Sequence, residues 1–185
     1  MLTKKKNKSI ALRTALDGIL AALTLALAFL ESMIPDVAFL PPGAKLGLSN
    51  IAVMFAVRTV GIGDGLALVL IKSGFVFLTR GASSAFMSIS GGLLSFLALA
   101  IIVIIAKKTN KQFSYTAVSV ICAVMHNTGQ TAAASIYMQT NLVVSYLPLL
   151  IVFGIFSGAV TGIILKTVMP ALTKINYKNF KGLKE

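Results

Sequence analysis

Acidic side chains are almost missing from this sequence: Asp17, Glu31, Asp36, Asp64 and Glu185 are the whole complement among 185 residues. A hard cation such as magnesium needs several oxygen ligands close together. No two of these acids lie closer in sequence than Glu31 and Asp36, so no aspartate-rich motif for diphosphate chemistry exists. Cysteine is equally scarce. Cys122 stands alone in an apolar stretch, which excludes an internal disulfide and any multi-cysteine metal site and leaves it as a small buried residue. One histidine, His126, without an adjacent acid, makes a tetrahedral zinc site a poor reading, and nothing marks a hydroxyl as a nucleophile. No metal ion and no cofactor is implied. Phosphate-binding loops are absent too: Lys72-Ser73 lacks the preceding glycines, and Gly61-Ile62-Gly63-Asp64-Gly65 lacks the spacing of a dinucleotide fingerprint. That glycine run reads as a tight turn, with Asp64 capping the helix that follows.

What the sequence has is apolar length. Hydrophobic residues make up 57% and charged residues 12%, and the mean hydropathy is +0.91, too few polar side chains to cover a water-soluble surface. Apolar segments of about 20 residues recur, the length at which a helix covers the ~30 Å of a bilayer core. Six spans emerge, residues 12–33, 46–60, 65–79, 84–106, 113–138 and 143–168, with the second and third the shortest. The expected fold class is an all-α integral membrane protein, a six-transmembrane-helix bundle. Turn chemistry at Pro35, Pro41, Pro42, Gly43, Gly61, Gly63 and Gly81 separates the early spans. The apolar first run reaches Met33, too long for a cleaved signal segment, and is read as a retained helix.

Charge orients the bundle. The formal charge is +12, with a pI near 10.1, and the basic residues flank the spans, which points to membrane ends and away from nucleic acid. With the N-terminus in the cytoplasm, fourteen of the seventeen Lys and Arg fall inside, Lys45 and Arg80 fall outside, and Lys72 lies within span three. Both termini are therefore expected to be cytoplasmic: residues 1–11 form a basic N-terminus, 12–168 the membrane domain, and 169–185 a basic tail whose residues 175–185 are held against anionic lipid.

Ionisable and amide groups inside spans are expensive, so each is a functional candidate. Glu31 sits near the outer end of span one, Lys45 and Asn50 at the outer start of span two, Lys72 near the midplane, and Arg80 at the outer end of span three. On span five, His126 and Gln130 are one turn apart, Tyr137 lies three turns beyond His126, and Asn127 borders their face. The costly groups thus gather toward the outer leaflet, as a solute pocket opening outward requires. The competing role for His126, Asn127 and Gln130 is to hold helices together. For Lys72 it is a charge neutralised by Glu31 or carried outward along its stem. Gly154, Gly158 and Gly162 form a small-residue ridge on span six, as do Ala22 and Ala26, with Ala11 and Ala15, on span one. Residues 34–44, with three prolines and apolar Val37, Phe39 and Leu40, are read as a lid over the outer mouth or an interfacial anchor.

The order Glu31-Ser32-Met33-Ile34-Pro35, Pro42-Gly43-Ala44-Lys45-Leu46-Gly47-Leu48-Ser49-Asn50, Ser90-Gly91-Gly92, His126-Asn127-Thr128-Gly129-Gln130 and Tyr146-Leu147-Pro148 resembles the Gx transporter family. That family is also labelled heptaprenyl diphosphate synthase component I. It is similar to the substrate-binding S components of energy-coupling-factor transporters. The resemblance covers about residues 22–162. It implies a non-enzymatic, multi-pass protein of the bacterial cytoplasmic membrane that captures a small vitamin-like solute and works with a coupling membrane subunit and two ATPases. The matching partner-contact positions are Ala22 and Ala26, or Ala11 and Ala15. The expected ligand residues are Glu31, Lys45, Asn50, Lys72, Arg80, His126, Asn127 and Gln130. Two other roles stay open: a non-catalytic membrane partner of a prenyl diphosphate synthase, and a membrane component of flavin- or quinone-linked electron transfer.

Overall fold

The apolar segments become helices in the computed structural model, which describes residues 2–33 and 47–180, with side chains described for 11, 13–33 and 47–170. Among the described residues there are six α-helices and no strand: α1 (Leu2–Met33), α2 (Ser49–Thr59), α3 (Ile62–Arg80), α4 (Ala82–Thr109), α5 (Tyr115–Met138) and α6 (Leu147–Phe180), with a 3-10 turn at Asn141–Tyr146. Left-handed residues end two of them, Asn110 (φ 52°) after α4 and Gln139 (φ 51°) after α5, each in a short polar break between apolar spans. The last helix starts later than the apolar pattern indicates, because the 3-10 turn occupies residues 141–146, and Pro148 falls in its first turn, where a missing N–H costs nothing. It also runs past residue 168, so the expected tail is helical as far as Phe180.

Four segments are long and apolar enough to cross a membrane: Arg13–Met33, Ile62–Arg80, Ala82–Thr109 and Asn141–Pro170. The α5 helix has the length but carries the amides, imidazole and hydroxyls of the polar stripe. The α2 helix has neither the length nor the exposure of a lipid-facing span. Its 11 residues rise only about 16 Å. Moreover Ala52, Val53, Met54, Phe55, Ala56 and Val57 are all buried, and at 100° per residue six successive positions cover every face of the helix. Contacts with α1, α3, α4 and α6 make it an enclosed central element.

Close backbone approach unites α4, α5 and α6. A Cβ added at Gly158 would stand 2.6 Å from the Val120 Cα, at Gly162 2.6 Å from the Thr116 Cα, and at Gly129 2.7 Å from the Ser90 carbonyl oxygen. The ridge on α6 therefore packs against α5, and α5 in turn packs against α4 at Gly91 and Gly129. Small residues serve this purpose in bilayers, where helices associate by shape and not by escape from water. On α1 the arrangement is reversed. Leu20, Thr24, Ala28 and Glu31 form its buried face, while Ala11, Ala15, Ala22 and Ala26 are exposed on the opposite side. Arg13 binds both oxygens of Asp64 at 3.0 and 3.2 Å and ties α1 to α3. Asp64 thus does not cap α3 as expected: Gly61 holds the cap position, and no side chain bonds there.

Replacing Gly158 by leucine is expected to lower stability by about 1–3 kcal/mol or more, since the obstructing atoms are backbone. The same change at Gly18, which has nothing within 4 Å, should leave it nearly unchanged. Thermal unfolding of the two variants in one detergent checks this.

Candidate functional site

The buried face of α1 ends at Glu31, which is 4% exposed. The Leu48 N–H donates to one of its oxygens, and the Ser49 hydroxyl donates to the other at 3.0 Å. The chemistry explains the pairing: the first N–H groups of a helix have no partner within it, and the positive end of the helix dipole favours a carboxylate. Glu31 therefore fixes the start of α2 to the end of α1. A carboxylate with both oxygens so engaged acts first as a structural tie.

One residue into α2, Asn50 accepts a 3.3 Å hydrogen bond from the Lys72 ammonium. Lys72 rises from the middle of α3 and is 8% exposed. The expected neutralisation by Glu31 takes a different form. The Lys72 charge lies within electrostatic range of Glu31 and of His126, but its hydrogen bond goes to the Asn50 amide. Thus Glu31, Asn50, Lys72 and His126, from four different helices, form one polar cluster.

His126 is 6% exposed, and its Nδ1 has no hydrogen-bond partner among the described residues. The ring lies against Gly91, where an added Cβ would come within 3.1 Å of its Cε1. It faces a narrow cleft walled by Asn50 and Met54 from α2, Cys122 from α5, and Ser157 and Thr161 from α6. The void measures about 10 Å³, space for roughly a single water. In this arrangement the bundle is closed upon the cleft. A hydrogen bond of 2.7 Å between Ser119 and Thr161 joins α5 to α6 at its wall.

The remaining candidates divide. Asn127 is buried and lines the cleft, but its Nδ2 donates to the Leu150 carbonyl at 2.8 Å, so its amide clamps α6 onto α5. Gln130 is half-buried against Gly91 and outside the cleft, and Tyr137 is exposed. Arg80 is exposed at the last position of α3, eight residues and so about 12 Å beyond Lys72. The structure does not bring it into the cluster. Lys45 and the segment 34–44 lie outside the described residues. Sequence reasoning missed Ser49, Ser157 and Thr161. Ser49 adjoins the Asn50 motif, and Ser157 and Thr161 sit one turn apart beside the glycine ridge, a spacing that puts both on one face.

Fold and cluster together define a class: a multi-pass helical membrane protein with a buried polar site enclosed between its helices. A family model described as heptaprenyl diphosphate synthase component I matches residues 20–168, and the chain belongs to that family. Its fold is shared with a solved structure described as the S component of a bacterial ECF transporter, at a TM-score of 0.66 and 23% identity over 88% of this chain and 96% of the other. No curated protein matches the sequence significantly.

The tie at Glu31 has a measurable consequence. A Glu31→Ala change, which strands the Leu48 N–H and the Ser49 hydroxyl, is expected to cost about 1–3 kcal/mol. Glu31→Gln, which keeps an accepting oxygen, should cost less. Melting temperatures in detergent give the order.

Proposed function

We propose that this protein is the substrate-binding membrane subunit of a transporter, capturing a small vitamin-like or cofactor-precursor solute and relying on a separate ATPase module for energy. The observation that carries this reading is the His126 Nδ1. A buried ring nitrogen left without a partner is costly in a dry interior, and a ligand atom is a natural partner for it. The shared fold with an ECF transporter S component supports the same reading. Asn50, Lys72 and His126 form the binding face. Lys45, from the same sequence motif as Asn50, and Arg80 supply positive charge that attracts an anionic solute. Glu31 and Asn127 hold the helices that carry these groups. Because the void is about 10 Å³, capture requires α2 to draw away from α5 and α6.

The bundle lies in the bacterial cytoplasmic membrane with both termini inside and α2 enclosed among its neighbours, a topology supported by the inward bias of Lys and Arg. The exposed stripe of Ala11, Ala15, Ala22 and Ala26 is the surface for the coupling subunit, since small side chains permit close helix approach. A partner is needed for energy because the sequence holds no phosphate-binding loop.

Mass spectrometry of the full chain purified in detergent is expected to find a retained small polar or amphipathic molecule. His126→Ala should weaken its binding about tenfold or more, the loss of one buried hydrogen bond, with the melting temperature little changed. Unchanged affinity in a folded variant overturns the role of His126. Co-purification with a soluble prenyltransferase whose activity depends on this chain would favour the synthase-partner reading.

A further inference from the structure

A second cavity of about 380 Å³ opens at the opposite end of the bundle from the polar cluster, between the ends of α2 and α4 and the start of α5. Arg58 is eight residues past Asn50 on α2 and Tyr115 is eleven before His126 on α5, separations of roughly 12 and 16 Å along those helices. The rim carries three cations, Arg58, Lys107 and Lys111, and no acid. None of the three has a carboxylate partner among the described residues, where the ion pair formed is Arg13 with Asp64. The Arg58 guanidinium is held over the Tyr115 ring, 4.3 Å from its centroid, which fixes its position at the edge of the cavity. The inner wall is apolar. Val103 and Leu99 lie one and two turns up α4 from Lys107, about 6 and 12 Å deeper along the helix.

We propose that this groove is a binding site for a net-anionic, phosphate-bearing lipid, with the phosphate on Arg58, Lys107 and Lys111 and the hydrocarbon chain along Val103 and Leu99. Two features select this class. Unpaired cations converging on one cavity suit a phosphate oxyanion of net negative charge, which arginine and lysine bind by charge-assisted hydrogen bonds. The apolar wall continues into a helix of mean hydropathy 2.7 that is long enough to cross the membrane, so the site straddles the boundary between water and hydrocarbon. An acidic peptide arriving from water would match the cations but has no use for a wall that runs into the bilayer. An anionic bilayer phospholipid and a prenyl diphosphate share the required chemistry. The proposal stands independently of the solute-binding reading, since it uses other residues and another end of the fold.

Native mass spectrometry of the full chain in detergent tests it, with dioleoylphosphatidylglycerol, dioleoylphosphatidylcholine and farnesyl diphosphate added in separate arms. The expected result is a retained adduct of the phosphatidylglycerol or of the farnesyl diphosphate in clear excess over phosphatidylcholine; whichever is retained identifies the source. The Lys107→Gln/Lys111→Gln variant should weaken that adduct about tenfold or more. The charge-matched Lys108→Gln/Lys166→Gln variant, altered at exposed positions outside the groove, should not. Lys107 and Lys111 are themselves exposed, and a melting temperature measured alongside verifies the fold; should the double variant melt early, Lys111→Gln alone is read in the same way. Equal retention of phosphatidylcholine, an adduct indifferent to the groove variant, or equal loss in both double variants overturns the proposal. So does displacement of the lipid by hexaglutamate, which would assign the groove to an acidic peptide.

Discussion

The bond from Glu31 to the start of α2 is the contact on which the interior depends. A helix of 11 residues enclosed by its neighbours cannot leave its first N–H groups to water, because no water is at hand. The carboxylate provides acceptors, and its negative charge suits both the helix dipole and the nearby Lys72. A buried lysine would be prohibitively expensive alone. In the company of Asn50 and within range of Glu31 it is tolerated, and that company exists only because α2 begins where it does.

Packing on the other side is governed by absence of side chains. Gly91 and Gly129 let α4 approach α5, and Gly158 and Gly162 let α6 approach α5, so backbone meets backbone. This positions two adjacent residues for opposite duties. His126 lines the cleft and keeps its Nδ1 without a partner, whereas Asn127, turned 100° around the helix, spends its amide on the Leu150 carbonyl.

Periodicity and turn residues made the helices legible, since a 3.6-residue repeat and a glycine or proline break are local properties. The ridge at Gly154, Gly158 and Gly162 was legible for the same reason. What sequence does not carry is which neighbour a face meets. Asp64 looked like a cap and instead reaches Arg13, fifty-one positions away. Arg80 looked like part of the outer polar group and is turned outward at the end of α3. The α2 segment read as a short span because hydropathy reports that a residue avoids water without saying whether lipid or protein takes its place. Its enclosure shows only in the unbroken burial from Ala52 to Val57.

The glycine crossings divide the molecule mechanically. Contacts made of main chain have no rotamers to relax, so α4, α5 and α6 behave as a stiff slab. The contacts from α2 to α4 and α6 run through side chains such as Met54 and Leu165, which slide and repack. Any breathing of the bundle therefore falls to the α1–α2–α3 half, a flap on a rigid plate that moves as one body because the salt-sensitive clasp of Arg13 with Asp64 holds its first and third helices together.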